Sequence, residues 1–184
     1  MPDPNTIALC TGWNLISLPL VPSDPAPAAV LAPIAGTLNS AWAYNASATA
    51  YSAAAPGPWL SYDPAIPSFL NTLTAIDVKM GIWLNMKEAA TLTVGGSQPG
   101  TTQIPISQGW NFIGYPSGQI KPVADVLTGL AYNSLWAYDP AQYPIPWQSY
   151  DPSVPPFLNT LQSFTPGRGY ALNAPAPGTV TVQP

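Results

Sequence analysis

The chain has 184 residues, carries a formal net charge of −4, and only 7% of its residues are charged. Four basic residues against eight acidic ones give almost no electrostatic basis for binding nucleic acid or anionic membranes. The surface must therefore be covered by uncharged side chains or by other protein, including copies of this chain.

The sequence is a tandem repeat of one unit. The motif Gly-Trp-Asn-Leu-Ile-Ser-Leu-Pro at residues 12–19 returns as Gly-Trp-Asn-Phe-Ile-Gly-Tyr-Pro at residues 109–116, and later landmarks follow in the same order. A repeat of this length predicts two homologous units. We place them at residues 1–94 and 103–184, with a Gly/Ser/Pro-rich linker at residues 95–102.

Each unit begins with a strand and a glycine-containing turn. Residues 1–6 predict an extended arm because of their prolines, and the next residues alternate up to Gly12. Two β-rich runs around such a turn predict a hairpin. Pro105 predicts that the first arm is an edge strand, since proline cannot donate a ladder hydrogen bond.

The remaining segments predict short strands with one short helix per unit. Residues 28–38 and 123–130 have apolar spacing suited to a helix of one or two turns. The motif Phe-Leu-Asn-Thr-Leu at residues 69–73, unchanged at 157–161, predicts a helical turn that pins a loop to the core. We therefore predict an all-β protein in which each unit is a small sandwich or barrel of about six short strands.

Three aspartates, Asp63, Asp139 and Asp151, follow a tyrosine and precede a proline. Carboxylates in this context could be calcium ligands, but an Asx turn, in which the side chain accepts a backbone N–H, explains them better. In the first copy, Asn45 stands at the position equivalent to Asp139, and an Asx turn tolerates the change from aspartate to asparagine. We predict turns and no metal site.

The tryptophans raise a choice between core and ligand platform. Those that match between copies are predicted to be core, because both units need the same packing; the pairs are Trp13 with Trp110, Trp42 with Trp136, and Trp59 with Trp147. Three aromatic residues are free of that constraint. Trp83, Tyr51 and Tyr143 are therefore the candidate ligand-facing aromatics.

Catalysis and cofactor binding have little support in the sequence. Histidine is absent and Glu88 is the only glutamate, which removes the usual general bases. With one cysteine, Cys10, zinc or copper sites are not expected either. We predict a protein that is not an enzyme and takes no cofactor.

The motifs resemble a tandem repeat of bacterial and archaeal secreted and cell-surface proteins. The resemblance rests on the Gly-Trp-Asn-Leu-Ile-Ser-like opening, the Trp/Tyr-rich middle with Tyr-Asp-Pro, and a Gly-Tyr-Trp-like strand near the end of the unit, which reads Gly-Ile-Trp at residues 81–83. It implies an extracellular or surface protein without implying an activity. Ala171 departs from the pattern where the first copy has Trp83.

These observations predict a structural or interaction subunit of an extracellular assembly, whose partners are copies of itself or another surface protein. A filament built by strand exchange is one form of it, with Ile7, Leu9, Val180 and Val182 as candidate subunit contacts. The alternative is a carbohydrate-binding or adhesion module, with glycans as partners. No signal peptide or transmembrane span is visible, so we expect a processed or excised chain.

Overall fold

The computed structural model describes residues 6–48 and 57–184 and shows an all-β fold, as predicted. The strands of the first unit are β1 (Thr6–Leu9), β2 (Gly12–Ile16), β3 (Leu38–Tyr44), β4 (Trp59–Tyr62), β5 (Ile82–Met86) and β6 (Ala90–Thr93). Those of the second unit are β7 (Thr102–Ile106), β8 (Gly109–Ile113), β9 (Lys121–Pro122), β10 (Ser134–Tyr138), β11 (Trp147–Tyr150), β12 (Ser163–Phe164), β13 (Tyr170–Ala174) and β14 (Gly178–Val182). One-turn helices α1 (Pro27–Val30) and α2 (Val123–Val126) occupy equivalent places.

The two units share one topology. Each has a four-stranded antiparallel sheet, ordered β2-β5-β3-β4 in the first unit and β8-β13-β10-β11 in the second. Each also has a two-stranded sheet, β1-β6 or β7-β14, and the second adds a short β9-β12 pair. None of the described sheets closes into a barrel. Strand β7 has a single neighbour, which confirms the prediction from Pro105 that it is an edge strand.

The predicted hairpin is instead a corner between two sheets. Strand β1 pairs with β6, whereas β2 pairs with β5, so the chain changes sheet near Gly12. Gly12 and Gly109 have φ of 85° and 90°, a conformation that favours glycine. Alternation on both sides of a glycine looks the same for a hairpin and for a corner, so the sequence pattern could not separate them.

The asparagine of the Gly-Trp-Asn motif holds this corner together. Asn14 Oδ1 accepts from the Cys10 backbone N–H at 2.9 Å, and Asn14 Nδ2 donates to the Cys10 carbonyl at 2.8 Å. Asn111 makes both bonds to Ser107, each at 2.8 Å. Only the backbone of residues 10 and 107 is used, which explains why cysteine and serine can stand at equivalent positions.

Each unit has its own hydrophobic cluster, and the predicted subunit contacts lie inside these clusters. Ile7 and Leu9 are buried in the first, and Val180 and Val182 in the second. Their strands are paired with β6 and β7 of the same unit. In this structure the four side chains complete the core of their own unit, so none of them is an exposed contact, and their exchange between subunits stays a prediction.

The Phe-Leu-Asn-Thr-Leu segments form helical turns, but the turns do not pin the loop as predicted. The 3₁₀ turns Ser68–Leu70 and Pro156–Leu158 expose Phe69 (82%) and Phe157 (83%) to solvent. Of the apolar residues in each segment, only the last leucine, Leu73 or Leu161, is buried. Polar hydrogen bonds hold the segment in place, so its first two apolar residues are not needed as anchors.

The aspartates form Asx turns, as predicted. In each turn the carboxylate accepts a hydrogen bond from the backbone N–H two residues later. The distances are 2.8 Å for Asp63, 3.1 Å for Asp139 and 2.8 Å for Asp151. Asn45 accepts from the Ser47 N–H at 3.1 Å in the same way. Hydrogen bonds from Ser153 lower the pKa of Asp151.

Tyr170 is a fully buried, ionisable residue in the core of the second unit, so its titration makes the stability of the protein depend on pH in the alkaline range. The ring centroids of Tyr170 and Phe164 are 4.3 Å apart, and the Tyr170 hydroxyl accepts a hydrogen bond from the Thr165 N–H at 2.6 Å. Burial raises the pKa of Tyr170 to about 12, and burial also raises the pKa of Tyr132 to about 12. An unfolded tyrosine ionises near pH ~10. The stability contributed by these raised pKa values is therefore present below pH ~10 and is lost as the pH rises toward 12.

We expect Tyr170→Phe to lower the free energy of unfolding at neutral pH by about 1–2 kcal/mol, because the partly buried Thr165 N–H loses its acceptor. The same variant should lose less stability between neutral pH and pH ~11 than the wild type does. Denaturant unfolding at several pH values measures both effects. Tyr143→Phe, at an exposed tyrosine, is the control. An unchanged alkaline decline in Tyr170→Phe would contradict the assignment.

Candidate functional site: an aromatic interface with two clefts

The four-stranded sheet of each unit has an outward face rich in aromatic residues. Cross-strand pairing places Trp13, Asn85 and Ser40 in one row, and Trp83 beside Trp42 in the next. The second unit repeats the first row as Trp110, Asn173 and Ser134. Because side chains alternate along strands, these residues lie opposite the hydrophobic cluster of their unit.

The two outward faces meet, and backbone bridges join their edges. Ile16 is bridged to Arg168, and Met80 to Ile113, which are equivalent pairs with the units exchanged. Four inter-unit hydrogen bonds accompany the bridges: Ser17 N–H to Gly167 O (3.0 Å), Gly169 N–H to Leu15 O (3.2 Å), Gly81 N–H to Phe112 O (3.1 Å) and Gly114 N–H to Lys79 O (2.7 Å). The units are thus related by an approximate two-fold axis through this interface.

One aromatic wedge from each unit fills the centre of the interface. Phe112 of β8 packs between Tyr44 and Trp59 of the first unit, with ring centroids 5.6 and 5.4 Å away. Trp83 of β5 packs against Tyr138 and Trp147 of the second unit at 5.3 and 5.9 Å. All four pairs are T-shaped or tilted, as aromatic rings prefer.

The two copies differ where they face each other. Trp83 and its cross-strand neighbour Leu15 are matched in the second unit by Ala171 and Phe112, so each unit carries one large and one smaller residue. Ser17 corresponds to Gly114. The buried Ser17 hydroxyl donates to the Arg168 carbonyl at 2.8 Å and accepts from the Tyr115 N–H at 3.1 Å. The two faces pack against each other about the axis. A large residue at the same position in both units would therefore occupy the same space from both sides.

Beyond the wedges the interface opens into two aromatic clefts. The first cleft has a volume of about 610 Å³ and is lined by Trp13, Trp42, Trp59, Trp83, Tyr138 and Trp147. The second has about 540 Å³ and is lined by Trp110, Trp136, Trp147, Ala171, Tyr44, Trp59 and Phe112. Trp59 and Trp147 line both clefts and form the wall between them. No charged side chain is among the lining residues of either cleft.

The matched tryptophans therefore line clefts, and the prediction that they are core residues is wrong. Trp13 and Trp110 are 44% and 47% exposed, and neither belongs to a hydrophobic cluster. Trp42 and Trp136 are half-buried, and their indole N–H groups donate to Ser40 and Ser134 at 3.0 and 3.1 Å. Duplication preserves a surface needed by both units as faithfully as it preserves a core, which the sequence argument overlooked.

The three candidate ligand-facing aromatics have different outcomes. Trp83 lies at the centre of the interface and also lines the first cleft. Tyr51 falls outside the described residues. Tyr143 is 86% exposed and is not among the residues that line either cleft. The sequence did single out Trp83, but it missed Phe112, whose signal was its replacement of Leu15 in a motif that begins with the same Gly-Trp-Asn in both copies.

Comparisons with protein-family models, curated proteins and solved structures gave no match. In the part of the chain that the structure describes, no helix has the length and apolar character needed to cross a bilayer. The fold, the interface and the clefts themselves are therefore the basis for assigning a role.

Proposed function

We propose that this chain is a non-enzymatic interaction module of an extracellular or cell-surface assembly and that it holds its partner in the two aromatic clefts. The observation that carries the proposal is the pairing of the clefts. Each position of the first cleft has its equivalent in the second, with Trp83 alone replaced by a small residue, Ala171.

The size and lining of the clefts fit a binding role. Their volumes, about 610 and 540 Å³, lie within the range of ~300–1,000 Å³ common for ligand sites. Indole and phenol rings provide a large contact area at low conformational cost, and they are enriched at binding hot spots. A lining without charge selects an uncharged, largely apolar partner, since burying an unpaired charge there would be costly.

Neutral carbohydrate is the second candidate, and one feature favours it. At the edge of each cleft a partly exposed indole neighbours an amide and a hydroxyl, as Trp13 does with Asn85 and Ser40. Asn85 Oδ1 already accepts from Asn39 Nδ2 at 2.7 Å, which leaves the amide donor of Asn85 for a sugar hydroxyl. The indole ring can stack on the face of a sugar while the neighbouring amide donates a hydrogen bond to a hydroxyl at the edge of the sugar.

Titration followed through the tryptophan indole N–H signals tests the proposal. The probes are cellohexaose, as a neutral glycan, and the capped peptide Phe-Leu-Asn-Thr-Leu, as an apolar ligand. We expect at least one probe to shift the indole signals of the cleft tryptophans. Trp13→Ala combined with Trp110→Ala should weaken that binding at least tenfold, which is about 1.4 kcal/mol.

Ile120→Ser is the matched control, since Ile120 is an exposed apolar residue that lines neither cleft. It should leave binding unchanged. Indole signals that respond to neither probe, and that do not change with protein concentration, would overturn the proposed function.

A further inference from the structure

Among the described residues, Phe69 and Phe157 are the most exposed large apolar residues after Tyr143, and they occur on two equivalent turns. Phe69 and Leu70 lie on the first, and Phe157 and Leu158 on the second, and we call each pair a Phe-Leu turn. Both phenylalanines are more than four-fifths exposed. Singly exposed apolar residues are ordinary, but a matched pair kept in both copies indicates a contact surface.

Hydrogen bonds fix each Phe-Leu turn before any partner arrives. Asn71 Oδ1 accepts from the Asp63 N–H at 2.8 Å, and Thr72 Oγ1 accepts from the Ser61 N–H at 2.8 Å. The second copy repeats both bonds through Asn159 (2.7 Å) and Thr160 (2.9 Å). The polar residues of the motif thus present its Phe and Leu rigidly, which reduces the entropy lost on binding.

The turns and the clefts match in number and in chemistry. Within the described residues, each unit carries one Phe-Leu turn, and each of the two aromatic clefts has the other as its equivalent, so both features follow the duplication. The turns present aromatic and aliphatic side chains, and the clefts are aromatic and uncharged. The exposure of both phenylalanines shows that a chain does not fill its clefts with its own turns.

We propose that the Phe-Leu turn of one chain docks in an aromatic cleft of a second copy. The inference rests on the proposed function, since it names the partner held by the clefts. The contact joins two different surfaces, a turn and a cleft, so it is heterologous and builds a ring or an open filament according to its angle. Strand exchange is not required, and β1 and β14 stay in their own units.

Sedimentation of the full chain over a wide concentration range tests the inference. We expect the wild type to self-associate and the double variant Phe69→Ser with Phe157→Ser to be monomeric. The cleft variant Trp13→Ala with Trp110→Ala should also be monomeric or at least tenfold weaker in self-association. Ile120→Ser with Ile145→Ser, which alters exposed apolar residues outside the turns and clefts, should associate like the wild type. Thermal melts of all four proteins check that each is folded.

Mixing the two monomeric variants gives the sharper test. The turn variant keeps intact clefts and the cleft variant keeps intact turns, so the mixture should form complexes that neither protein forms alone. A turn-to-turn contact would give no recovery, and that result would overturn the inference. The capped Phe-Leu-Asn-Thr-Leu peptide should also dissociate wild-type assemblies, and this measurement needs no variant.

The outcome separates this inference from the proposed function. A wild type that stays monomeric at every concentration overturns docking between copies. If that monomer still binds cellohexaose through the cleft tryptophans, the clefts remain interaction sites with a glycan partner. If it binds neither probe, both proposals fail.

Discussion

Gly114→Ala should lower the free energy of unfolding by about 3 kcal/mol, because an added methyl group has no room at the interface between the units. A Cβ at Gly114 would overlap the Val78 carbonyl oxygen and would lie 3.0 Å from the Met80 carbonyl oxygen. Both are backbone atoms, so no side-chain rotation can relieve the contact. The Gly114 N–H also donates to Lys79 O at 2.7 Å, and separating the strands would break this bond.

Thermal unfolding measures the effect, which should appear as a fall in Tm of roughly 10 °C for a chain of this size. Gly118→Ala is the matched control, since a Cβ there meets nothing within 4 Å. It should change Tm by no more than a degree or two. Equal stability of the two variants would show that the units are not held as closely as the structure places them.

Trp83→Ala should cost about 3 kcal/mol, because Trp83 is the wedge that the first unit inserts into the second. The substitution removes ring contacts to Phe112, Tyr138 and Trp147 and leaves a cavity at the centre of the interface. Ala171 stands at the equivalent position of the other unit, so no second tryptophan can compensate. Chemical denaturation of the purified variant gives the value.

Trp13→Ala is the comparison, because Trp13 is 44% exposed and touches only Trp83 among the described aromatic rings, at 6.1 Å. It should cost about 1 kcal/mol, well below the cost of losing the wedge. If Trp13→Ala proves as destabilising as Trp83→Ala, the matched tryptophans support the fold rather than form a binding surface, and the clefts lose their assigned role.

Local patterns predicted much of the fold correctly, because they act over a few residues. The all-β class, the one-turn helices, the edge position of Pro105 and the Asx turns of Asp63, Asp139 and Asp151 all follow from such rules. Each depends on the geometry of one residue and its neighbours: a missing N–H, a short carboxylate, or an alternating strand. The repeat itself supplied the equivalence of the two units.

The sequence by itself determined which residues recur in the two units. Only the tertiary structure decided whether the repeated tryptophans lie in the core of their own unit or on the face that meets the other unit. A Trp kept in both copies looks the same whether it faces the unit's own cluster or the other unit. The faces are distinguished by contacts between the units, among them the bridges of Ile16 to Arg168 and Met80 to Ile113, which bring distant strands together. Leu15, next to the bridged Ile16, is buried, whereas Trp13, two residues earlier on the same strand, is 44% exposed. Such a contact depends on how two separate sheets fit against each other, and no periodicity within either unit encodes it.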